Sequence, residues 1–225
     1  MTSPAGTARS LVGASGGTEG LGRRRIRAYI GLGANVGDAA ATLARAVRDL
    51  GALPGVRVRG VSRLYLTAPW GVTDQPDFHN AAVALDITTR EQPEAAALTL
   101  LAGLKALERD AGRRQRARWG PRELDLDLLI FGRHRIVVER PPEARSVEAE
   151  IDPAKAARQL EVPHRDLGER LFVLAPLADL APGLVPPGWH EPAETARDRV
   201  ASQDPSAAAR AIGEWDSASG RWRRR

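Results

Sequence analysis

Ile26, Ala28, Ile30 and Leu32 alternate with Arg27, Tyr29 and Gly31, the two-residue period of a strand with one buried face. A turn over Gly33–Gly37 follows. Leu43, Ala46, Val47 and Leu50 then recur at helical spacing, with Gly51 as the expected helix stop. Residues 55–67 read as a second strand, because Val56, Val58, Leu64 and Leu66 keep one parity and Arg57, Arg59, Arg63 and Tyr65 the other. Ala81, Val83, Leu85 and Ile87 make a third strand. Pro93 suits a first helical turn, Leu100, Leu104, Leu107 and Ala111 share a stripe, and Gly112 ends the helix. Leu124, Leu126, Leu128 and Ile130 alternate as a fourth strand. The order β-α-β-β-α-β predicts an α+β fold, a ferredoxin-like sandwich whose four-stranded core sheet carries its helices on one face, with extra C-terminal elements beyond. The opposite face would then present Arg27, Tyr29, Arg57, Arg59, Tyr65, Asp125 and Asp127, either to later segments or to a ligand.

The flanks lack such patterning. Residues 1–25 are Gly, Ala, Ser, Thr and Arg without period and read as a disordered leader. Residues 191–225 read as a polar, solvated tail with one helix around 206–215. Residues 140–158 combine paired prolines and charges with no apolar stripe, which predicts a flexible insertion within an ordered domain of 26–190.

Composition narrows the chemistry. The 225 residues are 43% hydrophobic, enough for a core, and hold no cysteine, so a disulfide, a thiolate metal site and a thiol nucleophile are all excluded. No stretch approaches the about 18 apolar residues of a membrane span, and a cytoplasmic protein without membrane partners is expected. The net charge is only +5, but 31 of the 33 basic residues are Arg, a bias that fits a GC-rich genome as well as a ligand. Where the Arg residues cluster therefore matters more than how many there are.

They cluster at 113–122, directly before Asp125 and Asp127. On a strand those two carboxylates share a face with Cα atoms about 7 Å apart, and they repel unless a cation lies between them. Arg113, Arg114, Arg116, Arg118 and Arg122 are too many to serve as counter-ions for two Asp residues. A polyphosphate bridged by Mg²⁺ satisfies both sets, with the carboxylates on the metal and the guanidinium forks on phosphate oxygens. A plain surface strand beside a solvated charged loop is the alternative. The loop 67–80 is longer than a hairpin requires. Trp70 and Phe78 offer flat apolar surfaces and Asn80 an amide that donates and accepts, together suiting a planar heterocycle. Taken alone, Phe78 reads as core and Asn80 as a strand-entry residue.

These stretches together resemble the hydroxymethyl-dihydropterin pyrophosphokinases of folate biosynthesis. The matching pieces are 28–38 (AYIGLGANVGD), 75–83 (QPDFHNAAV), 118–127 (RWGPRELDLD) and 162–167 (VPHRDL) with Arg170, Phe172 and 173–177, in the family's order over about 26–185. The resemblance implies transfer of the β,γ-pyrophosphoryl unit of ATP to a pterin hydroxymethyl oxygen, releasing AMP. It implies two Mg²⁺ ions on Asp125 and Asp127, with ATP as co-substrate. Arg113, Arg122, His164 and Arg170 match phosphate- or ribose-facing positions, and Glu108 a nucleotide-side acid. Arg113 and Arg122 join the two aspartates as the expected catalytic set. Thr67, Phe78, Asn80 and Phe172 match the pterin pocket, the two aromatics sandwiching the ring. Arg116, Arg118 and Trp119 would belong to a loop closing over both substrates. The partners implied are these two small molecules alone, on a monomer.

Two departures stand out. The family alternates Arg after the loop glycine, whereas Gln115 holds the second such position here, and 140–158 lengthens a connection that is ordinarily short. Gly31-x-Gly33-x-x-x-Gly37 is one residue too long for a dinucleotide fingerprint. No residue stands out as a general base. Two other classes compete: a ferredoxin-like RNA-binding module, which the Arg content would suit, and a catalytically silent pterin-binding partner, which would need neither Asp.

Overall fold

The computed structural model describes residues 22–69, 71, 73–112, 120–150, 152, 157–204 and 208–224. Its antiparallel sheet is built on β1 (Arg24–Ala34) and β4 (Phe78–Thr89), which pair from Arg24↔Thr89 to Ala34↔His79. β5 (Asp125–Phe131) flanks β1. The predicted second strand is split into β2 (Val56–Val61) and β3 (Leu64–Thr67), both on β4. Ser62 makes the break, donating its amide to the Ala82 carbonyl (2.9 Å) and accepting the Ala82 amide on Oγ (2.8 Å). β6 (Ile136–Val138) and β7 (Leu160–Val162) form a separate hairpin.

The helices cover both faces, which corrects the one-faced expectation. α1 (Ala39–Ala52) and α2 (Pro93–Asp110) bury Leu43, Val47, Leu50, Leu100 and Leu104 against Ile30, Leu32, Val83, Leu85 and Leu126. α3 (Leu171–Leu180) and α4 (Ala193–Gln203) cover the opposite face, where Leu177, Ala193 and Leu167 meet Tyr29, Ala84 and Leu129. Some of the charged residues of that face are paired beneath these helices, while Arg27, Arg57 and Arg59 stay exposed. Asp179 on α3 accepts from Arg63 Nε (2.9 Å) and Tyr65 Oη (2.9 Å), and burial together with that bond raises the Tyr65 phenol above its ordinary pKa. Arg27 donates to Asp86 at 2.7 Å. Burial alone would raise the Asp86 carboxyl, but the Arg27 bond and charge hold it below the usual value.

Several boundaries shift for identifiable reasons. α1 runs past Gly51 to Ala52, and the turn is made at Gly55, whose φ is +72° and where a Cβ would lie 2.6 Å from the Thr88 carbonyl. Ile130 leaves the face predicted for it. A register shift between Tyr29 and Ile30 puts Leu128 in the core under α1 and α2, but Leu129 and Ile130 under α3. Arg24 and Arg25 open β1 rather than close a leader, while the rest of the leader reading, 1–21, lies outside the described residues.

Where it is described, neither polar segment is the excursion its composition predicts; 151, 153–156 and 205–207 lie outside the described residues. In 140–158, 3-10 turns at Pro142–Ala144 and Val147–Glu150 bury Ala144 completely and bring Glu148 within 3.6 Å of Arg122. Residues 191–224 are not a solvated tail either. After α4, β8 (Arg210–Asp216) pairs with β3 and β9 (Arg221–Arg224) with β8, so the sheet has seven strands instead of four. The helix expected around 206–215 is replaced by this hairpin. Trp215 and Trp222 pack edge-to-face at 4.7 Å, and Trp222 Nε1 donates to the Ser62 carbonyl at 2.9 Å. Two tryptophans hold what a polar composition concealed. No helix among the described residues is long and apolar enough to cross a membrane.

The hairpin is therefore structural. Trp222→Ala should cost about 2 kcal/mol, roughly half the loss at a fully buried aromatic, and removal of 205–225 should cost more. Urea unfolding of both variants, showing wild-type midpoints, would restore the solvated-tail reading.

Candidate active site

Cross-strand register builds the site. Gly33 pairs with Asn80 on one side and Asp125 on the other, and Gly31 likewise with Ala82 and Asp127. Side chains of directly opposed residues share a face, so both carboxylates stand on the α3 side of the sheet, with Gly33 bare beside Asp125 and the Leu129 side chain packed over Gly31. Asp125 and Asn80 are two strand spacings apart, about 10 Å. A Cβ at Gly33 would come 3.3 Å from Asn80 Oδ1 and 3.9 Å from the Asp125 Cβ. Gly33 thus keeps a trough open between an acidic wall and an amide wall.

The amide wall is fixed. Asn80 is buried and donates Nδ2 to Thr67 Oγ1 at 2.8 Å, which leaves its Oδ1 acceptor toward Gly33. Phe78, half-buried, lies opposite Thr67 in the β3–β4 register. Asn35, buried at the end of β1, holds the loops on both sides. Its Nδ2 donates to Gln75 Oε1 (3.0 Å) and the Pro76 carbonyl (2.9 Å), and its Oδ1 accepts the Arg122 amide (2.7 Å).

The acidic wall is ringed by cations. Arg122 lies 3.4 Å from Asp125 and 3.6 Å from Glu148. His164 donates its amide to the Leu129 carbonyl (2.9 Å) and accepts the Asp166 amide on Nδ1 (3.2 Å). Burial lowers the His164 pKa below its ordinary value, against the field of Asp127 and with that of Arg158. Burial and then Arg158 likewise lower Arg140, whose Nε is buried without a partner. The charge of Asp127 acts on both side chains, opposing each lowering. Arg170 caps the start of α3, pairs with Asp166 at 2.6 Å and sits 5.8 Å from the Phe172 ring.

Most of the expected residues converge here: Thr67, Asn80, Arg122, Asp125, Asp127 and His164 around one trough, with Phe78 at its edge and Arg170 and Phe172 at the helix start beyond His164. Phe78 and Phe172 are not in ring contact with each other. Glu108, matched to a nucleotide-side acid, stands behind the strand of the two aspartates. It is 1% exposed behind β5, where Oε1 accepts Lys105 Nζ (2.6 Å) and the Leu126 amide (2.7 Å). Arg113, Arg116, Arg118 and Trp119 lie outside the described residues, as does Trp70. Asn35, Lys105, Arg140 and Arg158 were not singled out from sequence. Only the Ala34-Asn35-Val36 turn carried a signal, inside the family-like stretch.

The profile of the 7,8-dihydro-6-hydroxymethylpterin-pyrophosphokinase (HPPK) family matches residues 29–182, more than half of the chain. The chain is 43% identical over 180 residues to the 2-amino-4-hydroxy-6-hydroxymethyldihydropteridine pyrophosphokinase of Methylorubrum extorquens, covering 80% of this chain and 95% of that one. The enzyme of that name from Pseudomonas aeruginosa is 39% identical over 167 residues, 74% and 88% of the two chains. Among solved structures, wild-type Plasmodium falciparum HPPK-DHPS with pterin and p-hydroxybenzoate superposes with a TM-score of 0.64 at 13% identity. It matches 90% of this chain, which spans about half (49%) of that longer one; at such identity the likeness concerns the fold.

A buried histidine with a lowered pKa makes the free protein acid-labile. Its contribution is fully present above about pH 6.5, the unfolded imidazole value, and is lost as pH falls through the lower folded value, because the unfolded chain then binds the extra proton. His164→Gln should therefore flatten part of the fall in melting temperature between about pH 7 and 5. Parallel wild-type and variant curves would contradict a buried neutral His164.

Proposed function

The chain belongs to the 7,8-dihydro-6-hydroxymethylpterin-pyrophosphokinase family, and we propose that it uses the trough between Asp125/Asp127 and Thr67/Asn80 to transfer the pyrophosphoryl group of ATP to a hydroxymethyl-dihydropterin. The observation that carries this reading is the register itself. One three-strand row sets a metal-type acid pair and a heterocycle-reading amide on the same face, about 10 Å apart, with glycine between them. The inner order β5-β1-β4-β2/β3, with α1 and α2 beneath, supports a ferredoxin-like core to which the C-terminal hairpin is added.

The residues present fit magnesium. Asp125 and Asp127 are hard oxygen donors on one face, and among the described residues no third Asp, Glu or His completes a protein cage. Asp125 and Asp127 would hold the cation, two ions being what the family resemblance implies, and would leave it positions for oxygens of the ligand and water, as magnesium prefers. When bound, magnesium neutralises phosphate charge and polarises the transferred group.

The chain's own residues do the positioning. Asn80 Oδ1 and Thr67 Oγ1 present an acceptor and a hydroxyl to the edge of the pterin, with Phe78 and Phe172 on its faces. Arg122, His164 and Arg170, with Arg113 from the loop before β5, meet the phosphates and ribose. The partnerless Arg140 Nε supports an anion at this wall, since a buried donor without an acceptor is costly. The pterin hydroxymethyl oxygen forms its bond to the β-phosphorus as the bond to the α-phosphate oxygen breaks. AMP leaves, and the hydroxyl proton passes to solvent. Holding both reactants in line supplies most of the acceleration. Arg116, Arg118 and Trp119 would close over the pair, and the protein acts as a monomer in the cytoplasm on these two small molecules. An RNA-binding role is less well supported, because α3 and α4 cover the sheet face on which bases would stack.

Asp127→Asn should slow turnover by about 3 kcal/mol in barrier with little change in melting temperature. Full activity in that variant, or ADP instead of AMP from the wild type, would sink the mechanism. Phe78→Ala and Phe172→Ala should each raise the pterin KM about fivefold, the worth of one stacking contact, and leave the ATP KM nearly unchanged. Equal effects on both substrates would assign the rings to the core.

A further inference from the structure

β5 is the outer strand of the sheet beside β1, and the two aspartates sit at its first and third positions. In an antiparallel ladder, alternate residues turn both their amide and their carbonyl away from the partner strand. Within Asp125-Leu126-Asp127 that residue is Leu126. Its amide donates to Glu108 Oε1 at 2.7 Å and its carbonyl accepts from Lys105 Nζ at 3.0 Å. Lys105 Nζ also donates to the same Glu108 oxygen at 2.6 Å, which closes a ring of three hydrogen bonds. Lys105 is 5% exposed and Glu108 1%.

Burying such a pair costs desolvation that an apolar pair would avoid, so helix packing alone gives no reason for it. What the pair does is replace the missing neighbouring strand at one residue, the one that links the two carboxylates. Lys105 also neutralises Glu108, a buried acid close behind the two partly exposed aspartates. We propose that Lys105 is a positioning residue for Asp125 and Asp127: through Glu108 and the Leu126 peptide groups it fixes the strand edge, so that both carboxylates keep their spacing toward a divalent cation. This rests on the metal reading of those aspartates.

The probe is Mn²⁺ binding, followed by its paramagnetic resonance in the presence of α,β-methylene-ATP, whose α–β link resists cleavage. The proteins compared are full-length wild type, Lys105→Met, Lys105→Gln, Asp127→Asn and Leu104→Ala, the last a buried α2 residue that faces the core. Lys105→Met should weaken Mn²⁺ about tenfold, the usual effect of losing an outer partner of a metal ligand, and should speed exchange of the Leu126 amide. Lys105→Gln keeps one donor for the carbonyl and should fall between; it decides the matter if Lys105→Met does not fold. The pterin KM should be unchanged in both, and Leu104→Ala should lower the melting temperature without changing Mn²⁺ affinity. Wild-type Mn²⁺ affinity in the Lys105 variants, or an equal loss in Leu104→Ala, would overturn the proposal. If Asp127→Asn also binds Mn²⁺ normally, the metal reading itself fails; if only Asp127→Asn loses the ion, the metal reading stands and the positioning role falls.

Discussion

One buried carboxamide decides where the ends of the site lie. Asn35 follows the last residue of β1, and its side chain binds the loop from β3 to β4 through Nδ2 and the approach to β5 through Oδ1, while its backbone amide donates to the Arg122 carbonyl at 2.9 Å. A buried amide left without these partners would cost free energy with nothing in return, so the three segments come together or not at all. Asp would lose the two donors and Leu all of them. Because Asn80 and Asp125 each pair with Gly33, two residues before Asn35, the same clasp sets the starting points of both walls of the trough. Everything the site presents is measured from that strand end.

The sheet itself was legible wherever a strand buries one face and shows the other. β1 and the start of β5 have that alternation, β4 is buried on both faces and was legible from its Val, Leu and Ile at every second position, and the helical stripes of α1 and α2 supply the matching apolar surface. Legibility ended where backbone pairing, not side-chain pattern, holds an element. β8 and β9 attach to the edge of β3 through ladder bonds and two tryptophans, and a hairpin needing so little apolar surface looks like tail composition. The 140–158 segment misled in the same way, since one buried Ala144 and one acid on Arg122 order a stretch that is otherwise charged. Composition reports how much surface a segment could bury, not how little suffices once a neighbour is in place.

The candidate site divides along the same line. Asp125 and Asp127 could be placed on one face from spacing alone, and Asn80 and Thr67 from the loop that joins their strands. Lys105 and Arg140 could not. The lysine meets the Leu126 carbonyl from a helix 21 residues away in sequence, and Arg140 comes within the field of Asp127 from the far end of β6. Such partners share no local period, and no motif signals them. They are fixed by topology, so sequence reading finds the groups that meet a ligand more readily than the groups that hold those groups still.

The charge balance around Arg122 shows why the added segment belongs to the site's electrostatics. An arginine beside an acid pair tends to collapse onto the nearer carboxylate in a tight, forked contact, which would remove both from any ligand. Here Arg122 lies 3.4 Å from Asp125 and 3.6 Å from Glu148, both longer than a tight ion pair, with its side chain largely buried. Glu148, from the turn at Val147–Glu150, is a second acid within reach of the guanidinium, on the side away from Asp125's strand. The Arg122 backbone cannot follow either acid, because its amide and carbonyl are both held by Asn35. The guanidinium is therefore placed between Asp125 and Glu148 by the strand register on one side and the added turn on the other, which makes the 140–150 segment part of the wall that faces a ligand.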